Sequence, residues 1–439
     1  MGPSFFPLDE ELQLLPGNLT PHLHEQLVRT GVWIPSFARA VELWASFTGA
    51  QVSEATARRC TEEAGAQGVR LQEQAVQELL ASKGPAEGVG AQKQFLSADG
   101  ANVPLVGGNW TEVKTLVIGE VQPAFERHGE QVVEVSKLTY FSRHAEAEEF
   151  RRAALVETHR RGVATAGQVG AVTDGSEWLQ GLVDYHRRDA LRILDFPHAG
   201  EHIAAIGREV YGEESPVLPS WLSTQLHTLK HDGPSPVLDD LERLLVSHPG
   251  PWAHSPPPTD ADPDSPTTHL AYLQKRADHM QYPAYQAAGW PIGDGATESA
   301  NKLVVEERLK GSGMHWALRH VNPMLALRNV VCNDRWDETW PQIAAALRQV
   351  AWQRHQARRK ARAECSSPPP TAVPTARPSP NPGPTALASN PSREPVRSQS
   401  QPTPDPPHEH EPHRPAANHP WRHSPIGRAR FQSSLHPKL

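Results

Sequence analysis

The sequence predicts an α/β protein, a mixed β-sheet with a helical insertion, preceded by a helical region and followed by a proline-rich tail. Three observations carry this. Between residues 94 and 140, apolar residues recur with strand periodicity in three stretches bounded by turn residues. From 145 to 202, helical spacing alternates with short aliphatic runs, the pattern of parallel crossover units. After residue 202 the chain reads as helical as far as a glycine-rich loop, residues 282–295.

The bulk numbers bound the function. At 439 residues there is enough chain for two or three domains and a sizeable core. No apolar run is long enough to cross a membrane, and the N-terminus lacks the basic and apolar segments of a signal peptide. The three cysteines, Cys60, Cys332 and Cys365, are far apart, which predicts a reducing, cytoplasmic setting and neither a disulfide framework nor a zinc ribbon. The net charge of −7 gives no global attraction to nucleic acid, so a nucleic-acid reading needs a local basic surface.

Residues 1–88 read as helical. Thr20-Pro21, Ser36 and Ser53 are N-cap signals, and the last two helices have the size of a helix-turn-helix, which suggests DNA binding or a plain helical bundle. Residues 94–105 read as two strand halves around Asp99, 112–121 as the neighbouring strand and 132–140 as a third. Residues 145–161 read as a charged amphipathic helix. Ala171-Val172-Thr173 then ends a buried strand at Asp174-Gly175, and Ser176 caps a helix bearing Trp178, Leu179, Leu182 and Val183. Arg192-Ile193-Leu194 forms the next strand, ending in Asp195 with His198 and His202 just beyond. The helical insertion covers 203–281, with proline-rich connections near 216–219 and 250–266. Residues 296–309 form a helix with Glu298, Lys302, Val305 and Leu309 on one face, and a last helix runs from about 340 to 363. Trp110, Trp178 and Trp290 read as core. From Ser366 onward, 19 of the 43 prolines fall in 74 residues, so residues 365–439 are expected to be disordered. The order β-β-β-α-β-α-β is that of a ribonuclease-H-like fold. The expected divisions are 1–88, 89–202, 203–281, 282–364 and 365–439.

In open α/β sheets, chemistry gathers at the carboxyl ends of the strands. Asp99 on the first strand and Asp174 after the fourth would be neighbours in such a sheet, and Glu298 follows the insertion. Two aspartates and a glutamate are hard oxygen ligands suited to Mg²⁺ or Mn²⁺, and a pair of such ions can drive phosphodiester displacement.

The segments FPLDEELQLLPGNLTP, SEATARRCTEEAG, LSADG, VTDGSEWLQ, ILDFPHAGEH, PIGDGATESANKLVVEERLKGSGMHW, NPMLALRN and CNDRW together resemble the DDE transposases of bacterial insertion sequences, most closely the ISKra type, across about residues 6–340. The resemblance implies Asp99, Asp174 and Glu298 as catalytic, metal-binding triad, and Asp195 with His198 as the Asp-x-x-His pair between the second Asp and the Glu. An alternative alignment makes Asp195 the second metal ligand in place of Asp174. It further implies double-stranded DNA as partner (transposon ends and target), a homodimer or higher assembly, and a bacterial, nucleoid-associated location.

Two departures stand out. Gly293-Asp294-Gly295 replaces the usual Gly-Ser-Gly, adding a carboxylate expected to raise the pKa of Glu298 or disturb metal geometry. The cysteine-containing stretch that usually precedes FPLDEEL is missing, which suggests a truncated copy, active or reduced to binding DNA. A ribonuclease-H-like nuclease of another kind is the other rival. From Glu298 to Glu364 there are 12 Lys and Arg against 7 Asp and Glu, and Lys302, Arg308, Lys310 and Arg319 are the expected phosphate contacts. The basic stretch Arg354, Arg358, Arg359, Lys360 and Arg362 reads first as a solvated helix face.

Overall fold

A computed structural model of the chain describes residues 19–127, 130–250 and 264–365. The proline-rich tail, the first residues of the FPLDEEL segment and most of the 250–266 connection lie outside the described residues.

Five strands form one mixed sheet in the order β5-β2-β1-β6-β7. Strands β1 (Lys93–Pro104), β2 (Trp110–Val121) and β5 (Val135–Arg143) run antiparallel as a meander. Strands β6 (Gln168–Thr173) and β7 (Leu191–Leu194) continue from β1 in parallel. β1 is one continuous strand rather than two halves, because its pairing with β2 holds without a break from Gln94 to Pro104. The expected third strand lies three residues later, at β5, and its expected start belongs to a separate small hairpin, β3 (Phe125–Arg127) with β4 (Glu130–Val132).

Side-chain alternation gives the sheet two buried faces. Leu96, Ala98, Leu116, Ile118 and Phe141 pack on Phe150 of α4 (Ala147–Ala153) and on Leu179 and Leu182 of α6 (Glu177–His186). The expected 145–161 helix is thus two, α4 and α5 (Leu155–Arg160). Phe95, Val117, Val172 and Ile193 face the other way. They meet the insertion, made of α7 (Phe196–Tyr211), α8 (Leu218–His231), α9 (Pro234–Ser247), α10 (Pro266–Lys275) and α11 (Tyr282–Ala287). Helix α11 occupies a stretch that reads as loop in the sequence. Its Tyr282 is fully buried and its hydroxyl donates to Leu194 O at 3.0 Å, so tertiary burial orders a segment with weak local signals. Trp290 is core as expected, whereas Trp110, at the start of β2, is 59% exposed.

The N-terminal helices α1 (Pro21–Trp33), α2 (Phe37–Thr48) and α3 (Glu54–Leu80) start at Thr20, Ser36 and Ser53, each side chain accepting a first-turn N–H. They share a core with the last two helices, α13 (Leu318–Cys332) and α14 (Trp336–Cys365), through Leu27, Val28, Trp44, Leu327, Trp336 and Ile343. Gly65 lets α3 touch α13: a Cβ there would sit 2.2 Å from Pro323 O. Helix α13 also closes the outer edge of β5. The Asn322, Asn329 and Asn333 amides each accept from the N–H and donate to the C=O of one residue, His144, Ser142 and Tyr140 respectively, at 2.8–3.0 Å. An edge strand that would otherwise present open backbone groups is sealed by side chains.

Candidate active site

The β1–β6 pairing ends at Leu96↔Ala171 and the β6–β7 pairing at Thr173↔Leu194. Carried forward, both registers bring Asp99, Asp174 and Asp195 level on three adjacent strands. Alternation puts them on the face of Phe95, Val172 and Ile193, under the insertion.

Each acid has a defined role in its own backbone. Asp99 accepts from the Gly100 N–H at 2.6 Å, and from Asn301 Nδ2 at 3.0 Å. Asp174, rather than Ser176, makes the capping bond at the start of α6: its Oδ1 accepts from the Ser176 N–H at 2.7 Å, while the Ser176 hydroxyl makes no cap bond. Helix α10 clamps that turn from above. The Tyr272 hydroxyl donates to Asp174 O, and Arg276 donates to Gly175 O at 2.7 Å while stacking on Tyr272. Gly175 is required there, because φ is +76° and a Cβ would meet Arg276 at 2.4 Å. Asp195 caps α7, accepting from the His198 N–H at 2.9 Å, and its other oxygen accepts from the Asp294 N–H at 2.7 Å.

Asp294 is the fourth acid of the group, and the residue whose importance the sequence under-reads. Its Oδ2 accepts from the Ser97 hydroxyl at 2.7 Å, its Oδ1 is shut off from solvent, and the Thr297 hydroxyl beside it opposes the rise of its pKa. Burial, reinforced by Asp195 and Asp99, holds its carboxyl well above the usual carboxylate range. Burial also raises Asp99, with Asp174 adding to the effect, and burial raises Asp195. Among the described residues, no lysine or arginine pairs with any of the four acids. This is a concentration of like charge that requires protons or a bound cation.

Glu298 stands apart. It lies on α12 (Gly295–Ala300), its side chain is 72% exposed, and it pairs with Lys302 at 2.6 Å. That pairing lowers its pKa, so the expected upward push from Asp294 falls on Asp294 itself. The cause is helical phase. A π-helical stretch, Asn301–Glu306, follows α12 and rotates the faces, so Val305 and Leu309 are buried while Glu298 and Lys302 point outward. The inward positions are Thr297, fully buried, and Asn301, which holds Asp99. Glu298 is one turn ahead of Asn301 on the same helix.

His198 leaves the acids. Its ring is 3.5 Å from Glu201 and edge-on to His202, facing a separate cavity of about 370 Å³. The expected phosphate contacts divide. Lys302 and Lys310 are exposed and paired with Glu298 and Glu306. Arg319 is exposed. Arg308 is corrected to the interior: it is 1% exposed, donates to Gly31 O at 3.0 Å and lies on Phe37. Arg328 is likewise fully buried, donating to backbone carbonyls of Val32, Leu303 and Val304. Arg354 reaches Glu63 at 3.3 Å.

The donor chemistry of the acid row, carboxylate oxygens without a counter-cation, fits a hard divalent ion. Among the described residues, no three His, Cys, Asp or Glu side chains are grouped so that they could hold a metal ion as they stand, and none of the helices is long and apolar enough to cross a membrane. No protein-family model matches the chain, and no curated protein matches it.

Proposed function

We propose that the chain is a DDE-type transposase of an insertion sequence, built on a ribonuclease-H-like core and cutting and joining DNA at element ends with Mg²⁺ or Mn²⁺. The observation that carries this reading is the row of Asp99, Asp174 and Asp195, level on adjacent strands and without a cationic partner. The strand order β5-β2-β1-β6-β7, with an antiparallel meander joined to two parallel crossovers, supports the ribonuclease-H-like assignment.

Asp99 and Asp174 would hold the ion. When bound, it supplies activation of an attacking hydroxyl and stabilisation of the leaving oxygen at phosphorus. Asn301 orients the Asp99 carboxylate, and Tyr272 with Arg276 fixes the turn that presents Asp174. Asp195 ties the start of α7 to the Asp294 loop and so sets the wall of the site. Glu298, released from Lys302 and one turn from Asn301, completes the acidic set when DNA is bound. Action on two element ends calls for at least a dimer.

A second reading, a copy that binds DNA without cutting it, is favoured by the outward direction of Glu298. One assay separates them: strand cleavage of a labelled duplex carrying the element's terminal repeats, with Mg²⁺ or Mn²⁺. The wild type is expected to cut and Asp99→Ala and Glu298→Ala to fail. Binding without cleavage by wild type supports the second reading, and cleavage untouched by either substitution overturns the site.

A further inference from the structure

A cavity of about 660 Å³ lies between the start of α2, the first half of α3 and the loop that follows residue 310, and it shares no residue with the acid row. Its wall is built around Arg308. The guanidinium is held by Gly31 O and lies against the rings of Phe37 and Trp316, at 4.5 and 5.2 Å. Two atoms of this wall, Arg308 Nη2 and Trp316 Nε1, are buried without any partner. Both can only donate. Neither atom reaches solvent, so Arg308 acts on the cavity through its charge.

The surroundings have the same sign. Arg58 and Arg319 line the cavity, are exposed, and among the described residues make no close ion pair with a carboxylate, although both act on Glu62 at longer range. Arg319 Nε donates to His320 Nε2 at 2.9 Å, and the other His320 nitrogen is 3.4 Å from Glu62. The carboxylates present are Glu54 and Glu62, against three arginines. Burial raises Glu62, although His320 and the arginines oppose it. Burial lowers Arg308 to about 10, which leaves it a cation at neutral pH. Ser36 and Phe37, at the N-terminus of the 12-residue helix α2, add the positive end of a helix to the same wall.

We propose that this cavity binds one phosphate of a nucleic-acid backbone, with Arg58 and Arg319 closing on it from the rim and the buried charge of Arg308 favouring it from beneath the wall. The nucleic-acid source of that phosphate rests on the DNA-acting function proposed above. The binding itself requires no catalysis. A guanidinium fork matches the oxygens of a phosphodiester.

The test uses the full chain in EDTA, so that cleavage plays no part. A double variant, Arg58→Gln with Arg319→Gln, changes two exposed side chains; Lys360→Gln is the control. A short fluorescein-labelled duplex should bind about tenfold more weakly to the double variant, with its salt slope reduced by about two. In parallel, inorganic phosphate should raise the unfolding temperature of wild type, relative to chloride at equal ionic strength, by more than it raises that of the double variant. Equal duplex affinity in wild type and double variant overturns the proposal, whatever phosphate does, and leaves at most a free-anion site. Weaker duplex binding with a smaller salt slope supports it even if no strand is ever cut, so failure of the cleavage assay and failure of this site are distinguishable.

Discussion

The sheet carries two dense groups of polar side chains, built on opposite terms. Along the edge of β5, three asparagines of α13 meet the N–H and C=O of Tyr140, Ser142 and His144, and nothing is left over. On the face of β1, β6 and β7 under the insertion, Asp99, Asp174, Asp195 and the nearby Asp294 have no lysine or arginine partner among the described residues, and burial raises Asp99, Asp195 and Asp294. The first arrangement is satisfied and holds the fold together. The second places like charges near one another in a buried setting, which costs the fold stability.

Substituting in both groups should expose the contrast. The largest loss of stability is expected for Asn329→Leu, which strips the Ser142 N–H and C=O of their partner inside the protein and should cost about 3 kcal/mol in chemical unfolding. Asp294→Asn should do the reverse. The folded-state pKa of Asp294 is raised, so its protonated form is favoured by folding, and stability falls as pH climbs from the ordinary carboxylate value through the raised one. The variant should therefore unfold several degrees higher than wild type near pH 8, with the difference vanishing toward about pH 4. A smaller rise in unfolding temperature is expected when Mg²⁺ is added to wild type, and a still smaller one in Asp99→Asn, because the cation relieves repulsion that the substitution already reduces. Glu298→Gln should change stability least, since it removes only an exposed pair. Its effect should appear in strand cleavage instead.

Much of this site was legible in the sequence because parallel crossovers have a rule: successive strands end at one level, so acids at strand ends become neighbours. Asp174 and Asp195 follow from that rule, Asp99 joins them from the middle of β1 because the β1–β6 register brings it level with Asp174, and the caps at Thr20, Ser36 and Ser53 follow from local chemistry. What stayed hidden depends on how distant segments return. Asp294 reaches Asp195 across 99 residues, a contact set by where the insertion rejoins the sheet. The π-helical stretch after α12 has no local sequence signature, and Asn301 at its start, not Glu298, holds Asp99. Arg308 and Arg328 read as part of a basic face because periodicity does not reveal that a second layer of helices covers it; their charges end among backbone carbonyls and aromatic rings.

The central claim is that the acid row is a cation site whose ligands are Asp99 and Asp174. Mn²⁺ binding, followed by the loss of the free-ion electron paramagnetic resonance signal on titration with protein, tests it directly. Wild type is expected to bind Mn²⁺, Asp99→Asn and Asp174→Asn to lose that binding, and Asp195→Asn to retain most of it. Binding that survives both Asp99→Asn and Asp174→Asn, or that is lost only with Asp195→Asn, would contradict the account.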